Sequence, residues 1–210
     1  LKNGKINFIG DPDERNKEDY LRILRYVRFF LNYSNIPHDE NVKKVIKRNI
    51  NGVKNLSKER LIDELRKIFI SKKFTNLAKD PFMVELIGLI FPELQNIDIF
   101  KNLNDQAIKL LPSKDFIFLI SVALIDNSDN SEYFLFKYNI SNKEKNRIKF
   151  IKTYYNKIFK KNFFTEKNLN RIYYYNGLSY IQDLIDFKIF ISKKINKNLY
   201  KLKQIYIKMP

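Results

Sequence analysis

The sequence predicts an all-α fold on two observations: only 5 glycines and 6 prolines interrupt 210 residues, and strict polar–apolar alternation is rare. Helices joined by short turns are the natural reading. The first should follow the Asp11-Pro12-Asp13 turn, run from about Lys17 to Tyr33 and stop before Asn35 and Pro37. A second spans Asp39 to about Asn55. Ser57 is placed to cap a third, Lys58 to about Ser71, with Glu59 suited to the positive helix end. Shorter helices fall near Pro81 to Ile90, Asn104 to Leu111 and Ser113 to Asp126, the last followed by a polar loop over residues 126–130. Ser141-Asn142-Lys143-Glu144 has capping-box spacing and opens a helix expected to reach about Lys161. Thr165 and Asn176-Gly177 mark two later helix boundaries. No repeat of fixed period is present.

A chain of this length can bury a real core, as one large helical domain or two to three small ones. Lys and Arg exceed Asp and Glu by 40 − 23 = +17, which favours a polyanionic partner, nucleic acid or an acidic membrane surface. Lys, Asn, Ile, Phe and Tyr, residues of AT-rich codons, saturate the chain, so the placement of charge says more than its total. Residues 1–140 carry 23 basic and 19 acidic groups, net +4, whereas residues 141–210 carry 17 and 4, net +13. The basicity therefore resides in the C-terminal third.

Cysteine is absent, which excludes disulfides and thiolate metal sites and fits a reducing cytoplasm. The single histidine, His38, stands beside Pro37, Asp39 and Glu40 and reads as part of a helix start rather than as a metal ligand or general base, roles that need convergent partners. No signal-peptide pattern opens the chain. Its longest apolar run, Phe116 to Ile125, is too short to span a bilayer and reads as a buried helix.

The first helix carries the functional pattern. At about 100° per residue, Arg22, Arg25 and Arg28 share one sector while Tyr20, Ile23, Leu24, Val27, Phe30 and Leu31 fill the other side. Asp19 lies at the edge of the arginine row, so an acceptor-only carboxylate and a donor-only fork stand together, a pair able to match a base edge. The remaining guanidiniums suit phosphate oxygens. By geometry alone, Glu18 and Arg22 are equally an i,i+4 ion pair on a solvated face.

Gly10-Asp11-Pro12-Asp13-Glu14-Arg15, with Glu18-Asp19-Tyr20-Leu21-Arg22-Ile23-Leu24-Arg25 and Arg28-Phe29, resembles the nucleotide-recognition segment of class II tRNA nucleotidyltransferases, the CCA-adding enzymes, and of bacterial poly(A) polymerases. The resemblance implies that Asp19 and Arg22 read the incoming CTP or ATP by base-pair-like hydrogen bonds. It also implies that Arg25 and Arg28 help to bind the nucleotide and that Glu18 supports them. Asn16 departs from the family pattern, which has an apolar residue there, and looser packing is expected. Leu56 to Leu65 resembles the later neck motif, in which Arg60 and Glu64, themselves i,i+4 partners, brace the nucleotide-binding helix. Phe91-Pro92-Glu93-Leu94 is a further landmark, and the similarity covers about residues 6–95.

The resemblance further implies a multi-helix neck, body and tail array, divided as neck 1–75, body 76–140 and basic tail 141–210. The family's catalytic head, with its Gly-rich stretch and two metal-binding carboxylates, has no counterpart here. Mg2+ would therefore be held outside this chain, by a head domain supplied in cis or in trans, and the chain alone is expected to bind but not to catalyse. Asp11-Pro12-Asp13 has a D-x-D spacing but lies in a turn and is rejected as a metal site. In the tail, aromatics interleave with basic residues, a mixture suited to tRNA, although the spacing of Tyr154, Tyr155, Phe159, Phe163, Phe164, Tyr173, Tyr174, Tyr175, Tyr180 and Tyr200 assigns most of them to helix cores. Lys157, Lys160, Lys161, Lys193, Lys194 and Lys197 are the expected phosphate contacts. CCA addition to tRNA is the leading expectation and poly(A) addition the close runner-up; a stand-alone RNA-binding module without nucleotide role is the alternative of another class, and a membrane surface ranks last because no clean amphipathic terminal helix is present.

Overall fold

A computed structural model of the chain describes residues 4–194 and 197–207. Among them every regular element is a helix, as the scarcity of breakers and of alternation predicts. The chain divides into two compact units, Leu1–Pro92 with Lys137–Asn139, and Glu93–Phe136 with Ile140–Pro210.

The first unit contains α1 (Pro12–Glu18), α2 (Leu21–Tyr33), α3 (Glu40–Asn49), α4 (Lys58–Phe69), α5 (Thr75–Lys79) and α6 (Pro81–Ile90). A 3-10 segment, Ile50–Asn55, joins α3 to α4. The expected single helix from Lys17 to Tyr33 is two helices. Asp19 adopts extended backbone (φ −154°), and its carboxylate accepts the Leu21 N–H at 3.1 Å, a local bond that competes with helix continuation. Asp11-Pro12-Asp13 is correspondingly the start of α1, with Asp11 accepting the Glu14 N–H at 3.0 Å. Gly52 on the 3-10 segment lets the Tyr20 ring lie against its backbone, since a Cβ there would fall 2.1 Å from the ring.

The apolar stripe of α2 (Ile23, Leu24, Val27 and Leu31) is buried against α4, whose Leu61, Leu65 and Ile68 face it from the core. Asn16 packs tightly rather than loosely. It is fully buried, and its Nδ2 donates back to the Pro12 carbonyl at 2.8 Å, while its Oδ1 is buried without a partner. An unmatched buried acceptor costs stability, so Asn16→Leu, nearly isosteric, is expected to raise the unfolding free energy by about 1 kcal/mol. Urea titration would read this as a higher midpoint at unchanged slope. His38 sits just before α3, where its Nδ1 meets the Tyr26 hydroxyl at 2.7 Å and its Nε2 meets the α6 cap Asp80 at 2.9 Å. The imidazole also stacks on Phe30, with ring centres 3.6 Å apart. It thereby joins α2, α3 and α6, and burial raises the Tyr26 hydroxyl pKa well above that of free tyrosine.

The second unit contains α7 (Asp105–Leu110), α8 (Phe116–Leu124), α9 (Asn130–Lys137, whose last residue belongs to the first unit), α10 (Asn142–Tyr154), α11 (Glu166–Asn176), α12 (Leu178–Ile191) and α13 (Lys197–Ile207). The apolar run predicted to be a buried helix is α8, buried at every residue. α12 is the hub, packed by α7, α8, α10, α11 and α13. Ser141 and Glu144 form the predicted capping box, with the Ser141 N–H donating to Glu144 Oε2 at 2.9 Å. α10 nevertheless ends at Tyr154 instead of continuing to Lys161. Tyr154-Tyr155-Asn156 is a run of weak helix formers, and i→i+3 bonds from Tyr155 to Lys152 (3.1 Å) and from Lys160 to Lys157 (3.0 Å) replace the α pattern.

Of the ten tail aromatics assigned mainly to the core, only Phe163 is buried. Aliphatic side chains such as Ile148, Ile151, Leu169 and Ile181, together with Phe187, Phe190 and Tyr206, fill the interior, and the other nine rings are partly or fully exposed.

Candidate functional site

The break at Asp19 reorganises the predicted recognition row. Glu18 remains on α1 and receives two guanidiniums, Arg15 at 2.7 Å and Arg22 at 3.1 Å. Asp19 turns toward α4, where Arg60 Nη2 donates to both carboxylate oxygens at 3.0 Å, and Arg25 reaches it more distantly at 3.4 Å. Arg28 pairs with Glu64 of α4, which is buried and lies 3.6 Å from Lys67, and stacks its guanidinium 4.4 Å from the Phe29 ring centre. Arg60 and Glu64 of the later neck motif thus engage α2 and its entry turn directly. Arg60 binds Asp19, and Glu64 binds Arg28.

Arg15, Arg22 and Arg25 line a cleft of about 220 Å³ with Phe8, Tyr26 and Phe29, closed by the segment Ile6–Ile9. Phe8 stacks on Tyr26 with ring centres 5.8 Å apart. The Nε donors of Arg15 and Arg22 are buried there with no acceptor. Stranded guanidinium donors beside flat aromatic surface suit an anionic ligand carrying a planar ring. Sequence reasoning did not single out Arg15, Phe8 or Phe29. The signal available for Arg15 and Phe29 was their place at the ends of the motif segments, Gly10 to Arg15 and Arg28-Phe29.

The comparisons with known proteins agree on one lineage. Residues 38–97, covering α3 to α6 with Arg60 and Glu64, match a family model described as the probable RNA and SrmB- binding site of polymerase A. The human mitochondrial CCA tRNA nucleotidyltransferase 1 is 40% identical over 79 residues, 37% of this chain and 18% of that protein. The CCA-adding enzyme of Staphylococcus haemolyticus is 29% identical over 214 residues, covering 98% of this chain and 50% of that one. The chain is thus similar to class II CCA-adding enzymes and poly(A) polymerases.

The likeness falls in the neck–body region of those enzymes. A solved structure of a CCA-adding enzyme in complex with ATP shares the fold, with a TM-score of 0.61 at 18% identity over 98% of this chain and 50% of that one. The chain spans half or less of the length of these family members.

No group of three or more His, Asp or Glu residues able to hold a metal ion occurs among the described residues. The D-x-D pair does not fit Mg2+. Asp11 is the α1 cap, and Asp13 is held by Asn49 and Arg48, each at 2.6 Å. These bonds, the Asn49 amide foremost, keep the Asp13 carboxyl below the ordinary range.

In the second unit the predicted lysines fall in two places. Lys157 and Lys160 line a cleft of about 650 Å³ with Tyr154, Arg171 and Tyr175. Lys193, Lys194 and Lys197 line another of about 590 Å³ with Lys188. Lys161 is exposed beside the first. Sequence reasoning passed over Arg171 and Lys188. Burial lowers the Lys188 pKa, and its ammonium lies 4.0 Å from the Phe159 ring centre. No helix among the described residues is long and apolar enough to cross a membrane.

Proposed function

We propose that this chain supplies nucleotide selection and RNA grip to an enzyme that adds C, C and A to tRNA 3′ ends from CTP and ATP. The observation that carries the proposal is the α1–α2 cleft, where Arg15 and Arg22 hold buried donors without acceptors next to aromatic rings, and where Arg25 of the same lining reaches Asp19. Arg22 offers the donors of the base-reading pair, and Asp19 the acceptor. A carboxylate has about four acceptor positions. Leu21, Arg60 twice and Arg25 fill those of Asp19, the Arg25 bond being the longest at 3.4 Å. A base edge would take the place of Arg25, freeing that guanidinium for phosphate. Glu18 holds Arg22 and Arg15 in line, and Arg28 contributes positive charge from one turn further along.

The test uses the chain joined to, or mixed with, a family head domain, tRNA lacking its 3′ end, CTP and ATP. Ordered growth by C, C and A is expected. Asp19→Ala and Arg22→Ala should each weaken discrimination among nucleotides by roughly tenfold to a hundredfold, the worth of a hydrogen bond to a charged group, with tRNA affinity little changed. Unaltered CTP and ATP discrimination in both variants would refute the assignment.

Mg2+ and its carboxylate ligands belong, in this reading, to a head domain outside these residues, in cis or in trans. The tRNA partner is gripped by Lys157, Lys160, Lys161, Lys193, Lys194 and Lys197. Phosphate contacts release counterions, so tRNA affinity should fall steeply with salt, and replacing three of these lysines by glutamine should flatten the log–log slope by about 2 to 3. A salt-independent affinity would remove the phosphate contacts. The cysteine-free sequence supports a cytoplasmic location. Poly(A) addition is the second reading, favoured by the match of residues 38–97 to a model described for polymerase A, and tails of A alone in the same assay would select it.

A further inference from the structure

We propose that the cleft formed by the end of α10 and by α11 is a site for one unpaired RNA nucleotide, gripping its base as well as its phosphate. The proposal rests on the reading of the second unit as an RNA-gripping surface and adds a single-stranded element to it. The volume, about 650 Å³, lies within the range of small-molecule sites, roughly 300–1,000 Å³. Three kinds of group converge there, and each matches one part of a nucleotide.

The cations come first. Lys157, Lys160 and Arg171 all line the cleft, and none has a carboxylate partner among the described residues. Three unneutralised cations in one concavity suit a phosphodiester. The rings come second. Tyr154 is fixed from behind by Phe150 and Phe163, with centroids at 4.9 and 5.9 Å, and Lys157 Nζ lies 4.9 Å from its ring centre. Tyr175, 73% exposed, stands edge-on to Tyr174, itself 82% exposed. Tyrosine rings this exposed contribute little to the core, yet they offer planar surface for stacking.

The acceptors come third. Asn168 Nδ2 donates to the Phe163 carbonyl at 2.8 Å and Asn176 Nδ2 to the Ile172 carbonyl at 3.0 Å. Each amide is oriented by that bond, and its Oδ1 receives no donor among the described residues and can accept one. Two such acceptors favour a base whose exocyclic amino group offers two N–H donors (adenine, cytosine or guanine) over uracil, which offers the single N3–H.

The experiment titrates the full chain with the ribo-oligonucleotides A4 and U4 and with a 12-base-pair RNA duplex, following binding calorimetrically. A4 should bind more tightly than U4. Tyr175→Ala should weaken A4 binding roughly 5- to 150-fold, the range for losing one base–aromatic stack, and Tyr175→Phe should retain it. Arg171→Ala should also weaken A4, whereas Lys72→Ala, an exposed lysine of the first unit away from both clefts, should not; duplex affinity should survive Tyr175→Ala. Equal binding of A4 and U4, no response to Tyr175→Ala, equal loss of duplex and tetramer, or preference for hexaglutamate over A4 would each overturn the proposal. Absence of duplex binding with A4 recognition intact would instead overturn the RNA-grip reading and leave an unpaired-nucleotide site standing.

Discussion

Arg28→Ala is expected to destabilise the first unit by about 3 kcal/mol, a larger cost than that of any other arginine on α2. Glu64 is 1% exposed on the inner side of α4, and removing the guanidinium leaves its carboxylate with only Lys67, at 3.6 Å. A charge held away from water needs a partner at bonding distance, and a lysine farther off at the rim is a poor substitute. Arg22 differs, because its partner Glu18 is half exposed and readily rehydrated, so Arg22→Ala should cost well under 1 kcal/mol. The double variant Arg28→Met with Glu64→Leu is expected to recover most of the loss, since an apolar pair of similar volume carries no desolvation penalty. Urea unfolding of wild type, both single variants and the double variant measures this coupling. If Arg28→Ala leaves the midpoint unchanged while abolishing nucleotide binding, Arg28 is primarily a ligand for the nucleotide. The expected result makes it the bolt between α2 and α4, and lost activity in an Arg28 variant would then report lost architecture.

Much of the fold was legible because its signals are local. Ser57, Asn104, Ser141 and Thr165 each cap the helix that follows through a side-chain oxygen, as their residue types predict. Gly177 takes φ +86°, the left-handed region that ends α11. The interruption at Asp19 was not legible, because an aspartate inside a helical pattern bends the chain only where its own carboxylate captures a backbone N–H and a distant partner holds it there. That partner is Arg60, 41 residues away. The arginine face of α2 could be read from periodicity, whereas the pairing of Arg28 with Glu64 and of Asp19 with Arg60 depends on how α2 and α4 pack. In the tail, apolar spacing counted tyrosine and phenylalanine equally with isoleucine and leucine. Aliphatic residues, with Phe187, Phe190 and Tyr206, took the interior, leaving the tyrosines Tyr154, Tyr155, Tyr173, Tyr174, Tyr175, Tyr180 and Tyr200 at the rim, where an amphipathic ring can keep its hydroxyl hydrated.

Asp186→Ala is expected to be the most damaging single change in the second unit, and its cost should depend on pH. Asp186, fully buried on α12, receives Lys203 of α13 at 2.6 Å and is also bonded by Lys114, which precedes α8. One carboxylate thus balances two ammoniums and ties three segments together. Burial is the largest influence on Lys203 and lowers its pKa, and the Asp186 carboxylate opposes that fall. Without the carboxylate most of that opposition is lost, Asp183 alone remaining, and the folded-state pKa drops further, while the unfolded value stays at about 10.4. Between the two values the unfolded chain binds more protons than the folded one, so the stability of the variant rises with pH across that window. Above it the lysine is neutral in both states and the penalty for burying its charge is gone. Relative to wild type, the deficit should therefore be about 3–5 kcal/mol at pH 7 and clearly smaller at pH 10. Thermal unfolding of both proteins at the two pH values measures it. An equal deficit at pH 7 and pH 10 would mean that Asp186 acts through packing and backbone geometry, with the charge on Lys203 immaterial. A deficit that shrinks would show that α13 is held to α12 chiefly by neutralisation of a buried cation, so the placement of the Lys193, Lys194 and Lys197 cluster at the start of α13 depends on a residue that the cluster never touches.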